Sequence, residues 1–373
     1  MLKTKSTEGV FSLINLYRQY LKCRRNKRDH NLRWLAREVI CANSQQNMLL
    51  KGNVELFKQL PAHKSLLNAP SGKGLPIGNL SSQFFANVYL NQLDQFVKHH
   101  LKCRYYVRYC DDFILLDNSK EQLEQFRRQI EQFLAKRLLL KLNPRYHAVL
   151  PISNGINYLG YIIHREYRLV RKRVINNLYA KLSELLARLC KHDAKGTIYI
   201  YYDYSQLTTL RSVLASYLGH FQHANSYRLI ESIWQRFSQL SYFFELKWQA
   251  NAKVNLIPRY VFKRTIVGGI TSQYGYYVSC FRGDILFFQV GYYYEFYYEL
   301  PLAIIELLKL RRLECSSRKA YYGFPCHKEA EYLAKILGLG YSVVIIRETE
   351  SYLGRIKQRL PVVKIFKQGL NHE

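Results

Sequence analysis

The sequence predicts a mixed α/β protein, α+β in its first part, with a small mixed α/β domain at its C-terminal end. Three observations carry that reading. Hydrophobic residues make up 48% of the 373 positions, enough for real cores. A strand–turn–strand signal at 104–116 sits between stretches of helical periodicity. After residue 285 the pattern runs strand, helix, helix, strand. The chain also holds 56 Lys plus Arg against 27 Asp plus Glu, a formal charge of +29 spread along its length. A folded protein with that field suits a long polyanion, most simply nucleic acid. No apolar run is long enough to span a bilayer, the longest lying around 301–310. No signal-peptide core stands out, so a cytoplasmic protein with no membrane partner is expected. The eight cysteines form no C-x-x-C pair and no zinc spacing, and reduced thiols are expected.

Residues 8–28 read as a helix with a strongly basic end, Arg24-Arg25-Asn26-Lys27-Arg28. Residues 31–41 continue helically, with Leu32, Leu35 and Val39 on one face. Pro70, Gly72, Gly74, Pro76 and Gly78 mark a loop. Phe85, Val88, Tyr89, Leu93, Phe96 and Val97 give the helical spacing of 84–100. Arg104 to Tyr109 and Phe113 to Leu116 alternate as strands about the acidic turn Asp111-Asp112. Leu123, Phe126, Ile130, Phe133 and Leu134 mark a helix, and 155–163 is strand-like. Segments 174–190 and 206–247 read as helices, 249–264 as a polar, basic linker. The 32 tyrosines serve strands and cores, and set among basic residues they also suit stacking on single strands.

Tyr109-Cys110-Asp111-Asp112 is the strongest local signal. Adjacent carboxylates at a hairpin tip present anions to divalent metal ions, which phosphoryl transfer uses to neutralise a triphosphate and activate the attacking oxygen. Alone the pair is also an ordinary hairpin turn. Upstream, Gly74-Leu75-Pro76-Ile77-Gly78-Asn79-Leu80-Ser81-Ser82-Gln83 is a glycine-rich loop opening a helix that runs to Leu93-Asp94. Such a loop lets backbone approach a nucleotide, with Gly78, Ser82, Gln83 and Tyr109 as nucleotide- and template-binding candidates.

Together these blocks resemble the palm of reverse transcriptases, most closely those of diversity-generating retroelements. Most bacterial relatives read Q-G and then S-P where this chain has Ile77-Gly78 and Ser82-Gln83, a change typical of the retroelement group. Gly155-Ile156-Asn157-Tyr158-Leu159-Gly160-Tyr161 resembles the primer-grip hairpin, so Tyr158, Leu159 and Gly160 are implied to grip the primer. Ser216 to Asn225 resembles the thumb. The resemblance covers roughly 8–245 and implies RNA-directed DNA polymerisation. Its implied needs are Mg²⁺ on the catalytic, metal-binding Asp111 and Asp112, an RNA template, a DNA primer or duplex, deoxynucleoside triphosphates and an accessory protein.

One departure matters. The family places a further metal-binding Asp on a strand well before the glycine-rich loop, and before residue 94 this chain has only Asp29, following Lys27-Arg28. Most finger blocks are missing as well, so the join near Asp29 reads as an internal deletion. Asp203, in Tyr202-Asp203-Tyr204, is not expected to replace the lost ligand. The sequence therefore leaves two readings open: a catalytically impaired reverse transcriptase, or a non-catalytic nucleic-acid-binding derivative.

The segment Asp284 to Tyr297 is a buried strand, a glycine and an aromatic–acidic cluster; Gly323-Phe324-Pro325-Cys326-His327 then leads to a helix. This order resembles the N-terminal mismatch-recognition domain of MutS proteins over roughly 280–370. It implies that Tyr293 stacks on a mispaired base and Glu295 bonds its edge, both at the start of the domain's first helix. The family's Gln after the late strand is replaced by Arg347-Glu348, and no Walker loop occurs, which excludes the MutS ATPase. The expected organisation is a partial fingers/palm over 1–170, a helical thumb over 171–247, a linker over 248–279 and the MutS-like domain over 280–373.

Overall fold

A computed structural model describes residues 2–4, 7–8, 16–18, 20–21, 30–41, 80–143, 148–249, 254–262, 269–313 and 320–367. The chain divides into two compact units, Met1–Gly155 and Ile156–Glu373. The basic segment Arg24 to Arg28, Asp29, the glycine-rich loop and Gly78 lie outside the described residues.

The first unit holds β1 (Leu2–Thr4), β2 (Thr7–Glu8), α1 (His30–Cys41), α2 (Leu80–Gln95), β3 (Tyr105–Tyr109), β4 (Asp112–Leu116), α3 (Lys120–Phe133) and β5 (Lys141–Leu142). α2 runs on as a π-helical turn through His100, and α3 does so through Leu138. Phe85, Tyr89 and Leu93 recur every fourth residue and are buried; Leu123, Phe126 and Ile130 of α3, with Leu134 in the π-helical turn that follows, are buried at steps of three and four. Ser119 caps α3 by accepting from the Gln122 N–H at 3.0 Å. The sheet order is β1-β4-β3, so β4 is central and its Phe113, Ile114 and Leu115 are all buried. Phe113 and Leu115 join the helical core, and Arg108, opposite Phe113, shares that face. On α1 the face foreseen as apolar is exposed: Leu32, Leu35 and Val39 are open, while Ala36 and Ile40 are buried.

The second unit opens with a meander, β6 (Ile156–Tyr158), β7 (Tyr161–Ile163) and β8 (Arg168–Val170), and the helix α4 (Lys172–Leu189). Then come β9 (Cys190–His192), β10 (Thr197–Tyr201), α5 (Tyr204–Phe221), α6 (Tyr227–Arg236), α7 (Leu240–Phe243), β11 (Phe244–Trp248) and β12 (Val254–Pro258). The last part is α8 (Ile270–Cys280), β13 (Ile285–Val290), β14 (Tyr293–Phe296), α9 (Leu302–Leu308), β15 (Tyr322–Pro325), α10 (Glu329–Gly338), β16 (Val343–Leu353) and β17 (Ile356–Lys367).

A seven-stranded sheet organises this unit, in the order β15-β14-β13-β16-β17-β10-β9. Its centre is buried on both faces. Leu286, Phe288, Val344 and Ile346 enter one core; Ile285, Phe287, Val343 and Ile345 enter another. Strict alternation along β13 and β16 thus feeds two layers, which is why both read as continuous apolar runs.

The structure differs from the sequence reading in three places here. The run 206–247 is three helices followed by β11, and Asp203 caps the first through its carboxylate, which accepts from the Ser205 and Gln206 N–H groups. The stretch read as a linker, 248–279, contains β12, buried Tyr260 and Phe262, and α8, whose Tyr274 and Tyr277 are buried. Its polar positions mask a hairpin, since β12 alternates half-buried with exposed residues. Finally, β9 and β10 precede the segment expected to form the C-terminal domain and yet complete its sheet.

Candidate functional site

The hairpin of β3 and β4 turns at Cys110-Asp111, with Tyr109 opposite Asp112. Cys110 takes a φ of +52°, left-handed backbone that an L-residue enters at a cost. Arg108 holds the turn in place. Its Nε and Nη2 donate to the two Asp94 carboxylate oxygens at 2.8 and 2.6 Å. Its Nη1 donates to the Asn87 Oδ1 at 2.9 Å and to the Cys110 carbonyl at 2.7 Å. The Tyr106 hydroxyl adds a bond to Asp94 at 2.7 Å, and burial, reinforced by that carboxylate, pushes its pKa up. This fork ties α2 to the hairpin tip with fixed bidentate geometry.

The opposite face of the hairpin is open. Tyr105, Val107 and Tyr109 are each more than half exposed there, and Asp112 lies in register with Tyr109 on that face. Asp111 sits half-buried at the tip. Burial raises its carboxyl above the ordinary range, and the Asp112 charge pushes the same way. Ser82 and Gln83 occupy the first turn of α2. Gln83 lines an open groove of about 730 Å³ with Leu32, Leu35, Val39, Leu80 and Phe84, whereas Ser82 does not line it. Among the described residues, no group of three or more His, Cys, Asp or Glu gathers to hold a metal ion.

The β6–β7 hairpin turns on Leu159 and Gly160, with φ of +49° and +88°. Positive φ at both positions matches the twist a two-residue hairpin loop needs. Tyr158 is buried, and Leu159 is 43% exposed at the tip. Behind the turn stands His220 of α5. Its ring stacks on Tyr161 at 4.3 Å and 16°, and the Tyr161 hydroxyl donates to its carbonyl at 2.8 Å. The Gly160 carbonyl accepts from the Arg171 N–H at 2.9 Å. Burial lowers the His220 pKa. Sequence reasoning did not single out His220; it sits within Ser216 to Asn225, and nothing in spacing tells its half-buried imidazole from the exposed His223.

Tyr293 and Glu295 lie side by side on one face, as expected, but on strand β14 rather than at a helix start. The segment Tyr293 to Phe296 pairs with both β13 and β15, so its amides are committed to a ladder. Tyr293 is 52% exposed, while Tyr294, on the other face, is buried. Glu295 accepts from the Tyr297 hydroxyl at 2.5 Å. The turn before them is fastened from below. The Gly291 N–H donates to Glu348 at 3.1 Å, and the Gln289 amide donates to the Gly291 carbonyl at 3.0 Å. Glu348 in turn is bonded by buried Arg359, whose Nε donates to the Gln289 carbonyl at 2.6 Å. Arg347 donates to Glu329, which also accepts from the Tyr294 hydroxyl.

Residues 31–163 match the family described as reverse transcriptase (RNA-dependent DNA polymerase), and residues 269–370 match MutS domain I. The chain thus carries a reverse transcriptase domain and a MutS domain I. The first supports an RNA-directed DNA polymerase-like function and the second DNA binding, so nucleic acids are its implied partners. No described helix is long and apolar enough to cross a membrane.

Proposed function

We propose that this chain is a reverse transcriptase of the diversity-generating type, its polymerase chemistry impaired by loss of the first catalytic carboxylate and most fingers, joined to a mismatch-type DNA-binding domain. The observation that carries this is the Asp111–Asp112 pair on a hairpin clamped to α2 by Arg108. The partners are an RNA template and a DNA primer, deoxynucleoside triphosphates for residual synthesis, and an accessory protein. The cellular place is the cytoplasm.

The donor chemistry fits a hard divalent cation such as Mg²⁺: adjacent carboxylates, one of them held above its ordinary pKa by burial and by its neighbour's charge. Asp111 and Asp112 would hold the ion. When bound it neutralises phosphate charge and lowers the pKa of a coordinated hydroxyl. Asp94 does not join them, because its carboxylate is engaged by Arg108 and Tyr106. Gly78, Ser82, Gln83 and Tyr109 are assigned to nucleotide and template, and Tyr158, Leu159 and Gly160 to the primer. Tyr293 and Glu295 are assigned to a distorted base pair.

Primer extension on an RNA template with Mg²⁺ tests the polymerase half. Weak extension is expected, and Asp111→Asn with Asp112→Asn should abolish it together with Mg²⁺ binding. Extension that survives the double change removes the hairpin as the metal site. Tyr293→Ala, titrated against matched and mismatched duplexes, tests the other half: loss on the mismatched duplex alone is expected, and equal loss on both overturns it. The second reading, a binding protein without catalysis, is favoured by the two-carboxylate donor set; wild-type extension at background level, with duplex binding retained, establishes it.

A further inference from the structure

The hairpin of β9 and β10 lies outside both family-matched segments, and yet it forms one edge of the seven-stranded sheet. Tyr199 and Tyr201 are two residues apart on β10 and so face the same way. Their rings are 6.4 Å apart between centroids and within 14° of parallel. Both are only partly buried, resting on the core of the helices α9 and α10 at its rim. Opposite Tyr199 in the ladder stands exposed Lys191, whose ammonium lies 5.3 Å over the Tyr201 ring. Lys367, opposite Thr197, and Lys195 in the turn are exposed as well. Asp193 is used by the turn and by the first ring: one oxygen accepts from the Lys195 and Thr197 N–H groups at 2.9 and 2.8 Å, and the other accepts from the Tyr199 hydroxyl at 3.4 Å.

Edge strands often carry a lysine simply to discourage pairing with another chain. Lys191 departs from that role, since its charge lies over a ring face instead of standing off the strand edge. Two parallel rings at the strand's own repeat, flanked by three lysines, have the chemistry of a stacking platform beside a phosphate track. The charge of +29 supplies the attraction.

We propose that the β9–β10 edge binds single-stranded nucleic acid, Tyr199 and Tyr201 each stacking one base while Lys191, Lys195 and Lys367 neutralise the adjoining phosphates. A base entering the site takes the Lys191 charge from the ring to its own backbone. The site shares no residue with the β3–β4 hairpin or with the Tyr293–Glu295 pair, so it stands or falls independently of the proposed function.

The test is anisotropy titration of the full chain with dT20, rU20 and an intact duplex at fixed salt. Tyr199→Ile and Tyr201→Ile keep apolar packing and strand preference but remove the ring. Each should weaken single-strand binding at least about fivefold, leaving duplex affinity unchanged. Tyr199→Phe and Tyr201→Phe should bind as the wild type. Unchanged single-strand affinity in the Ile variants overturns the proposal. So does an equal loss on duplex, or a loss in the Phe variants as large as in the Ile ones. Loss with dT20 and rU20 alike marks a general single-strand site, and loss with one identifies the strand. Should an Ile variant fail to fold, Lys191→Gln with Lys367→Gln gives a second readout. The single-strand salt slope should then fall by about 1.4, at roughly 0.7 per phosphate contact, and an unchanged slope overturns the site.

Discussion

Gly160→Ala probes the β6–β7 turn, where two independent penalties add. The residue has a φ of +88°, and an L-residue in left-handed backbone costs about 1–2 kcal/mol. A Cβ there would also sit 3.0 Å from the His220 Nε2 and 3.1 Å from its Cε1. That ring has little freedom to yield: it is stacked on Tyr161, whose hydroxyl lies 3.0 Å from Nδ1. Moving it gives up that polar contact, about 0.5–1.5 kcal/mol. The expected loss is about 2–3 kcal/mol, read from urea unfolding midpoints at constant slope. A double-mutant cycle separates the two parts. In a His220→Ala background the clash is gone, and Gly160→Ala should cost only the backbone part. A change within about 0.5 kcal/mol of wild type, or full additivity with His220→Ala, would refute the reasoning.

Three further outcomes follow from charged groups. Asp111 has a folded pKa raised by burial, so its ionised form costs stability above that pKa and the cost vanishes as pH falls through it; Asp111→Asn should stabilise at pH 7 and lose that advantage near pH 4, checked by thermal melts at both. Arg108→Ala takes the guanidinium from the Asp94 carboxylate, leaving it the Tyr106 hydroxyl, and should destabilise by about 2–4 kcal/mol in urea unfolding. Arg359→Ala takes the buried guanidinium from Glu348, leaving it Lys357 at 3.7 Å and the Gly291 N–H, and should cost about 3 kcal/mol, whereas Arg359→Met with Glu348→Leu should recover most of it in the same assay.

Much of this architecture was legible where a period or a motif had only one physical meaning. The 3.6-residue spacing of Leu123, Phe126 and Ile130 gave α3, and alternation about Asp111-Asp112 gave β3 and β4. The Tyr293–Glu295 pair was placed on a common face correctly but on the wrong element. Residues i and i+2 share a face only on a strand, so that spacing already favoured β14 over a helix start. The linker reading of 248–279 misses β12, because the half-buried Val254, Leu256 and Pro258 stand in a polar, basic stretch of sequence that hides their pairing with β11. The joining of β9 and β10 to β17 was illegible. Strand partners more than 160 residues apart leave no local trace, and 190–201 carries only the ordinary look of a short hairpin.

Under the proposed function, binding and chemistry separate in this chain for a physical reason. Binding a polyanion draws on many cations acting through screened, additive contacts, and losing some of them lowers affinity by degrees. The excess of basic residues, spread across both units, keeps that capacity whatever happens at one tip. Phosphoryl transfer draws instead on a few anions fixed within fractions of an ångström of one another. The fork of Arg108 keeps Cys110 anchored and commits Asp94 to the clamp, so the turn is held by a carboxylate that is then unavailable to a metal. What stays at the tip is a positioned pair, Asp111 and Asp112, that third His, Cys or carboxylate partners do not join among the described residues. A carboxylate supplied near that tip from elsewhere should therefore raise extension more than added basic charge would. Primer extension by acidic and basic single-site variants around Tyr109, compared at equal template occupancy, measures that difference directly.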